Sequence, residues 1–134
     1  MDLSDLKRHA IAAREFAVPV GAQDAPRHIT LRLPTQHEVV LAARRSGLHG
    51  VEEDAAAHIV LQRALLQLAM VAWAGVVVGD VLPGHPEAAQ PLEWSAGAAE
   101  LLLDAQTDWA HTLGNALMER MAERKAAKDT AAKN

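Results

Sequence analysis

Residues 59–73 read Ile-Val-Leu-Gln-Arg-Ala-Leu-Leu-Gln-Leu-Ala-Met-Val-Ala-Trp, and only Gln62, Arg63 and Gln67 in this stretch are polar. On a helix, that leaves all but a narrow stripe apolar, so the segment must be surrounded by the rest of the chain or by a second copy. The run from Ala64 to Val78, broken only by Gln67, falls short of the roughly 20 residues that a membrane-spanning helix needs. We therefore read it as the core of a folded domain, with a long central helix that starts after Gly50. Glu52, Glu53 and Asp54 would occupy its first turn, where carboxylates meet the positive end of the helix dipole.

The composition agrees with a helical domain. The 134 residues are 50% hydrophobic but only 3% aromatic, with no Tyr and a single Phe, so the core is assembled from Leu, Val, Ala and a few Trp side chains. This length fits one domain that closes a core without disulfides or metal. A formal charge of -4 argues against a general phosphate-binding surface, so no nucleic acid is expected as a partner. The absence of Cys excludes a disulfide framework, a thiolate metal site and a Cys nucleophile, and fits a reducing compartment. Met1 to Phe16 mixes Asp2, Asp5, Lys7, Arg8 and Glu15 into its Leu and Ala residues and so lacks the apolar core of a signal peptide. The expectation is a cytoplasmic protein without a membrane partner.

Upstream of the central run, Leu3, Leu6, Ala10, Ala13 and Phe16 fall at helical spacing and predict a short amphipathic helix or arm. His28-Ile29-Thr30-Leu31-Arg32-Leu33 alternates with period two, the pattern of a half-buried strand. Val18-Pro19-Val20-Gly21 carries turn signals, yet a strand over Phe16 to Val20 would pair with this one as a hairpin that helices must cover. Thr35 and Glu38 have the spacing of a reciprocal capping box, which predicts a short helix ending near Ser46-Gly47.

Downstream, Val76-Val77-Val78 is too short to assign, and Gly79 to Pro91 reads as a loop rich in Gly and Pro. Ser95 stands in a cap position before Ala98, Ala99, Leu101, Leu102 and Leu103, a short helix ending near Asp104. A last helix from about Thr107 places Trp109, Leu113, Leu117 and Met121 on one face. From Lys125 onward no apolar face remains, so residues 125–134 are expected to fray. The predicted fold is mainly α: a small helical domain with a short N-terminal β-hairpin or strand packed on the helices. Residues 1–26 form an N-terminal arm, 27–124 the helical core and 125–134 a flexible charged tail.

No residue pattern demands catalysis, cofactor or metal. His28, His37, His49, His58, His85 and His111 are scattered singly, and none is spaced to put two ligands on one helical face. Gly-x-Ser-x-Gly and Ser-x-x-Lys are absent, and Gly75, Gly79 and Gly84 are too dispersed for a phosphate loop. The Trp residues are the remaining candidates for function. Trp73 and Trp109 read as core anchors, while Trp94, at the end of the Pro-rich loop, either caps the core or is offered to a partner.

Trp73-Ala74-Gly75, the Pro/Gly loop, Pro91-Leu92-Glu93-Trp94-Ser95, the Leu-rich segment ending Leu103-Asp104, Trp109 and the closing charged segment occur in an order that resembles the tailed-bacteriophage tail assembly chaperones. The resemblance covers residues 27 to 134. In that family a Trp-containing segment precedes a Pro-aromatic-Ser helix start and a Leu-Leu-Asp helix end, and Leu31-Arg32-Leu33-Pro34-Thr35 looks like its strand-to-helix junction. Here the aromatic before Ser is Trp94, and the residues up to Ala25 lie outside the match.

The resemblance implies a helical cytoplasmic protein, absent from the finished virion, that coats the tape measure protein, keeps it soluble and helps recruit tail tube subunits. It also implies, for many members, a longer frameshifted product. On this reading the partner contacts are apolar patches around the central helix and the 79–94 loop, with Trp94, Leu92, Leu82 and Val78 as candidate residues and homo-oligomerisation through the central helix as a corollary. The alternatives are a structural tail or head-completion subunit, or a small helical protein-interaction module of the host. An enzyme would require a concave site that sequence order hides.

Overall fold

The apolar run that dominates the sequence is divided between two kinds of structure. In the computed structural model, which describes residues 1–47 and 55–133, helix α3 covers Ala55–Ala69 and gives way without a connecting loop to strand β3, Met70–Ala74. The expected single helix from 59 to 73 is therefore corrected: its last four residues are strand. A short apolar run does not distinguish buried helix from buried strand, and Val71 and Trp73 have the shapes that strands favour. The deciding influence is tertiary, because strand β2, Arg27–Arg32, needs backbone partners along both of its sides and β3 supplies one of them. The start of the central helix at Glu52, Glu53 and Asp54 lies outside the described residues.

Strand β1, Glu15–Val20, supplies the other side, so the expected hairpin is two-thirds of a three-stranded antiparallel sheet of order β1-β2-β3. Val18 pairs with Ile29 and Phe16 with Leu31, and across the second ladder Ile29 pairs with Trp73 and Leu31 with Met70, with a bulge between Thr30 and Leu31. This register places Val18, Val20, Ile29, Leu31 and Met70 on one buried face and leaves His28, Ala17 and Pro19 on the open one. Val18-Pro19-Val20 is thus strand and not turn. Pro19 is tolerated because β1 is an edge strand.

The helices that follow β2 enclose the buried face. Helix α1, Leu3–Ala12, precedes β1, buries none of its residues and takes no part in that enclosure. Helix α2, Gln36–Arg45, starts at the expected capping box, with Glu38 N donating to Thr35 Oγ1 at 3.1 Å and Thr35 N to Glu38 Oε1 at 3.0 Å. It stops where Gly47 takes a left-handed φ of +76°. Helix α4, Ala96–Ala105, is capped by Ser95 Oγ, which accepts from Ala98 N at 3.0 Å, and buries Ala98, Ala99, Leu102 and Leu103.

Helix α5, Thr107–Lys133, is long and continuous. Leu113 and Leu117 are fully buried, and Trp109 and Met121 pack half-buried against the same core. At Gly114 the side-chain amide of Gln62 from α3 lies against α5, where a Cβ would come within 2.7 Å of its Nε2. Farther along, the Arg120 guanidinium lies 4.6 Å from the Phe16 ring centroid, and Arg124 donates to the Pro34 carbonyl. The tail expected to fray is instead helical through Lys133, although every side chain from Lys125 to Lys133 is exposed. Ala, Lys and Glu propagate a helix at one hydrogen bond per residue once a docked segment has nucleated it.

Candidate interaction surface

The 76–94 segment is held by a polar lock and a short ladder of backbone bonds. Asp80, only 7% exposed, ends a 3₁₀ turn over Val78–Asp80. Its carboxylate accepts from Arg27 Nε and Nη2, both at 3.0 Å, and from Val77 N at 2.9 Å. Its carbonyl accepts from Gln106 Nε2 at 2.8 Å, and the Arg27 guanidinium sits 5.9 Å from the Trp109 ring centroid. One residue therefore ties the loop to the start of β2 and to the junction of α4 with α5. The sequence reading did not single out either Arg27 or Asp80. The available signal was weak, because a Gly-Asp pair within a loop ordinarily means an exposed turn.

Backbone pairs then fold the rest of the segment back on itself. Val78 N donates to Gln90 O at 2.8 Å, Gly79 N to Ala88 O at 2.9 Å and Leu92 N to Val76 O at 2.9 Å, and Val77 forms a bridge with Pro91. Gly79 is required here, since a Cβ would lie 2.9 Å from the Ala88 Cβ and 3.1 Å from its carbonyl oxygen. What reads as a long irregular loop is therefore a closed excursion whose ends meet at the sheet. Trp73 Nε1 completes the closure by donating to Leu92 O at 2.7 Å.

Of the candidate contact residues, the structure brings two together. Trp94 and Leu92 line a groove of about 490 Å³ with Trp73, Val76, Val77 and Pro91. Leu92 is half-buried against the core, whereas Trp94 remains 37% exposed. Leu82 is exposed and Val78 half-buried, and neither lines that groove. Trp73 and Trp109 both pack against the core, Trp109 from the helix that its spacing predicts and Trp73 from strand β3 instead of the expected helix.

A second and larger groove was not localised from sequence. It lies between α2 and α3, measures about 880 Å³, and is lined by Leu41, Ala42, Ile59, Val60, Ala64 and Leu68 with Glu38, Arg45 and Arg63 among the polar residues. Ile59 is 67% exposed, and Val60 is exposed beside it. The signal for it was present in the all-round apolar character of residues 59–73, which demands more cover than the described residues provide for Ile59 and Val60.

Among the described residues no three His, Asp or Glu side chains converge as a metal-binding set, and no helix is long and apolar enough to cross a membrane. Comparison of the chain with protein-family models, curated proteins and solved structures finds no match.

Proposed function

We propose that this chain is a tail assembly chaperone that binds apolar helical segments of a tape measure protein, keeps them soluble and yields them to tail tube subunits. The observation that carries this reading is Trp94, an indole left partly exposed at the lip of a groove floored by Trp73 and Leu92 in a chain with very few aromatic residues. Aromatic side chains over a preformed apolar groove are the usual anchors of protein interfaces. The Asp80 lock and the backbone ladder keep this groove formed before a partner arrives, so little ordering is required on binding.

The mechanism is mass action. A chaperone that covers apolar helix surface lowers the aggregation-competent fraction of its client and leaves when tube subunits compete for the same surface. No nucleotide is required. The motif order from Trp73 to Trp109 supports the assignment of the client. The test is co-expression with the long helical tape measure protein of the same genome: the wild-type chain retains it in the soluble fraction, and Trp94→Ala loses the complex while remaining folded. A structural tail or head-completion subunit is the competing reading. Mass spectrometry of purified virions separates the two, because a stoichiometric amount in the particle defeats the chaperone assignment.

A further inference from the structure

The charges of this chain are segregated, and the groove at Trp94 lies on the acidic side of the division. From Ala64 to Met118 the sequence contains Asp80, Glu87, Glu93, Glu100, Asp104 and Asp108 but no Lys or Arg. Cations from outside this segment compensate two of the carboxylates: Arg27 pairs with Asp80 at 3.0 Å and Arg63 with Asp104 at 2.7 Å. All 13 Lys and Arg side chains lie among the described residues, and none of them pairs with Glu93 or Glu100. Arg63 does reach Glu100, but it donates to the backbone carbonyl at 3.3 Å and leaves the exposed carboxylate without a counter-charge.

These two carboxylates stand beside one apolar strip. Glu93 lines the groove together with Trp94. Helix α4 begins just beyond, and because Ala98, Ala99, Leu102 and Leu103 form its buried face, Gly97, Glu100, Leu101 and Asp104 fall on the outward one. Leu101 is 57% exposed there. A Cβ at Gly97 would meet no atom within 4 Å, so nothing in the chain covers the first turn between Trp94 and Leu101. From Gly97 to Asp104 the outward face runs about 10 Å along the helix axis. Compensation of the helix dipole does not explain the carboxylates, since Glu93 precedes the Ser95 cap and Glu100 lies in the second turn.

We propose that the Trp94 groove and the outward face of α4 together bind a cationic amphipathic helix, its apolar residues on Trp94 and Leu101 and its Lys or Arg side chains on Glu93 and Glu100. The inference rests on the chaperone reading for the identity of the client and adds that the segment held here is basic. Two apolar anchors set along a helix suit a second helix laid beside it, with its own anchors at helical spacing. An acidic helix with the same apolar face would bring like charges onto Glu93 and Glu100, so the rim selects by repulsion as well as by attraction.

The experiment is isothermal titration calorimetry on the full chain with two synthetic amphipathic peptides that share one Leu face, the polar face being Lys in the first and Glu in the second. The wild type binds the Lys peptide at least about tenfold more tightly than the Glu peptide, and added salt narrows the difference. Glu93→Lys/Glu100→Lys reverses the preference, whereas Asp24→Lys/Asp129→Lys, an equal change of net charge at other exposed positions, preserves it. Trp94→Ala weakens binding of the Lys peptide by at least about tenfold.

Equal affinity for the two peptides, a reversal by the Asp24/Asp129 double variant as well, or an unchanged affinity in Trp94→Ala overturns the proposal. So does self-association of the wild type that Glu93→Lys/Glu100→Lys abolishes, which would assign the strip to a second copy. All substituted positions are exposed, and circular dichroism verifies the fold; where Trp94→Ala is unfolded, Leu101→Ser takes its place. Retention of the tape measure protein without a charge preference overturns this inference alone, and a charge preference without that retention overturns the client assignment alone.

Discussion

Arg27 and Asp80, 53 positions apart, form a two-point ion pair with both N···O distances at 3.0 Å, and they do so where the sheet, the 76–94 excursion and the α4/α5 junction meet. The pair is largely withdrawn from water, with Arg27 and Asp80 side chains 19% and 10% exposed. Its additional bonds to Val77 N and the Ala25 carbonyl offset the desolvation that isolated buried charges suffer.

Removing one partner leaves the other charge in a poorly solvated site. Asp80→Ala is expected to lower unfolding stability by about 3–5 kcal/mol in urea titrations, as is usual for a broken buried pair. The double variant Arg27→Met/Asp80→Ala is expected to lose clearly less than the sum of the two single changes, because no uncompensated charge remains.

The first turn of α2 confers a pH dependence whose sign follows from its bonds. The Thr35 amide stabilises ionised Glu38 most; burial, the next effect in size, opposes it, and with the help of the Arg14 guanidinium and the Thr35 hydroxyl the carboxyl is held below the ordinary value of 4.5. A lowered folded-state pKa stabilises the fold above the unfolded value, and this contribution is lost as pH falls through the folded one. Urea midpoints at neutral pH and at about pH 3 are expected to differ less in Glu38→Gln than in the wild type. Thr35→Ala should cost about 1 kcal/mol at neutral pH through loss of the cap.

Gly75 makes the turn that leads from β3 toward the groove, at φ +86°, and a Cβ there would stand 3.3 Å from the Pro26 carbonyl oxygen. Gly75→Ala is expected to destabilise by about 1–2 kcal/mol, the usual penalty of the left-handed conformation for an L residue. Thermal melts read the loss directly.

The two Trp residues of the smaller groove should separate in their effects. Trp73→Phe removes the bond to Leu92 O and is expected to cost about 1 kcal/mol of stability. Trp94→Ala should alter the melting temperature less than Trp73→Ala and, on the proposed function, lower retention of the tape measure protein. Equal loss of stability in both would assign Trp94 to the core.

Deleting residues 125–134 is expected to leave the urea midpoint almost unchanged, within about 0.5 kcal/mol. The deleted side chains that the structure describes are all exposed, and the last docking contact, from Arg124 to Pro34, is retained. Far-ultraviolet circular dichroism should fall by the helical signal of that segment.

Local chemistry was legible wherever a short-range bond decides the conformation. The Thr35/Glu38 box, the Ser95 cap, the Gly47 stop, the 28–33 alternation and the Trp109-Leu113-Leu117-Met121 row all form as their spacing predicts. The pairing of Trp94 with Leu92 in one groove was also within reach, because both flank a helix start. The α2/α3 groove was visible only as a surplus of apolar residues without a location, and Asp80 only as part of a Gly-Asp pair that ordinarily means an exposed turn.

The residues alone determine a small, mainly helical chain with a hairpin, its caps and most of its buried face, because helix and strand periods are written in side chains a few positions apart. Only the tertiary structure decides that Met70–Ala74 leaves the helix for the sheet, since the open edge of β2 is a demand made by residues some 40 positions away. It also decides that the 76–94 excursion is a locked platform and that α1 stands clear of the core. Those outcomes depend on hydrogen bonds between distant groups, and no local pattern encodes a partner that far along the chain.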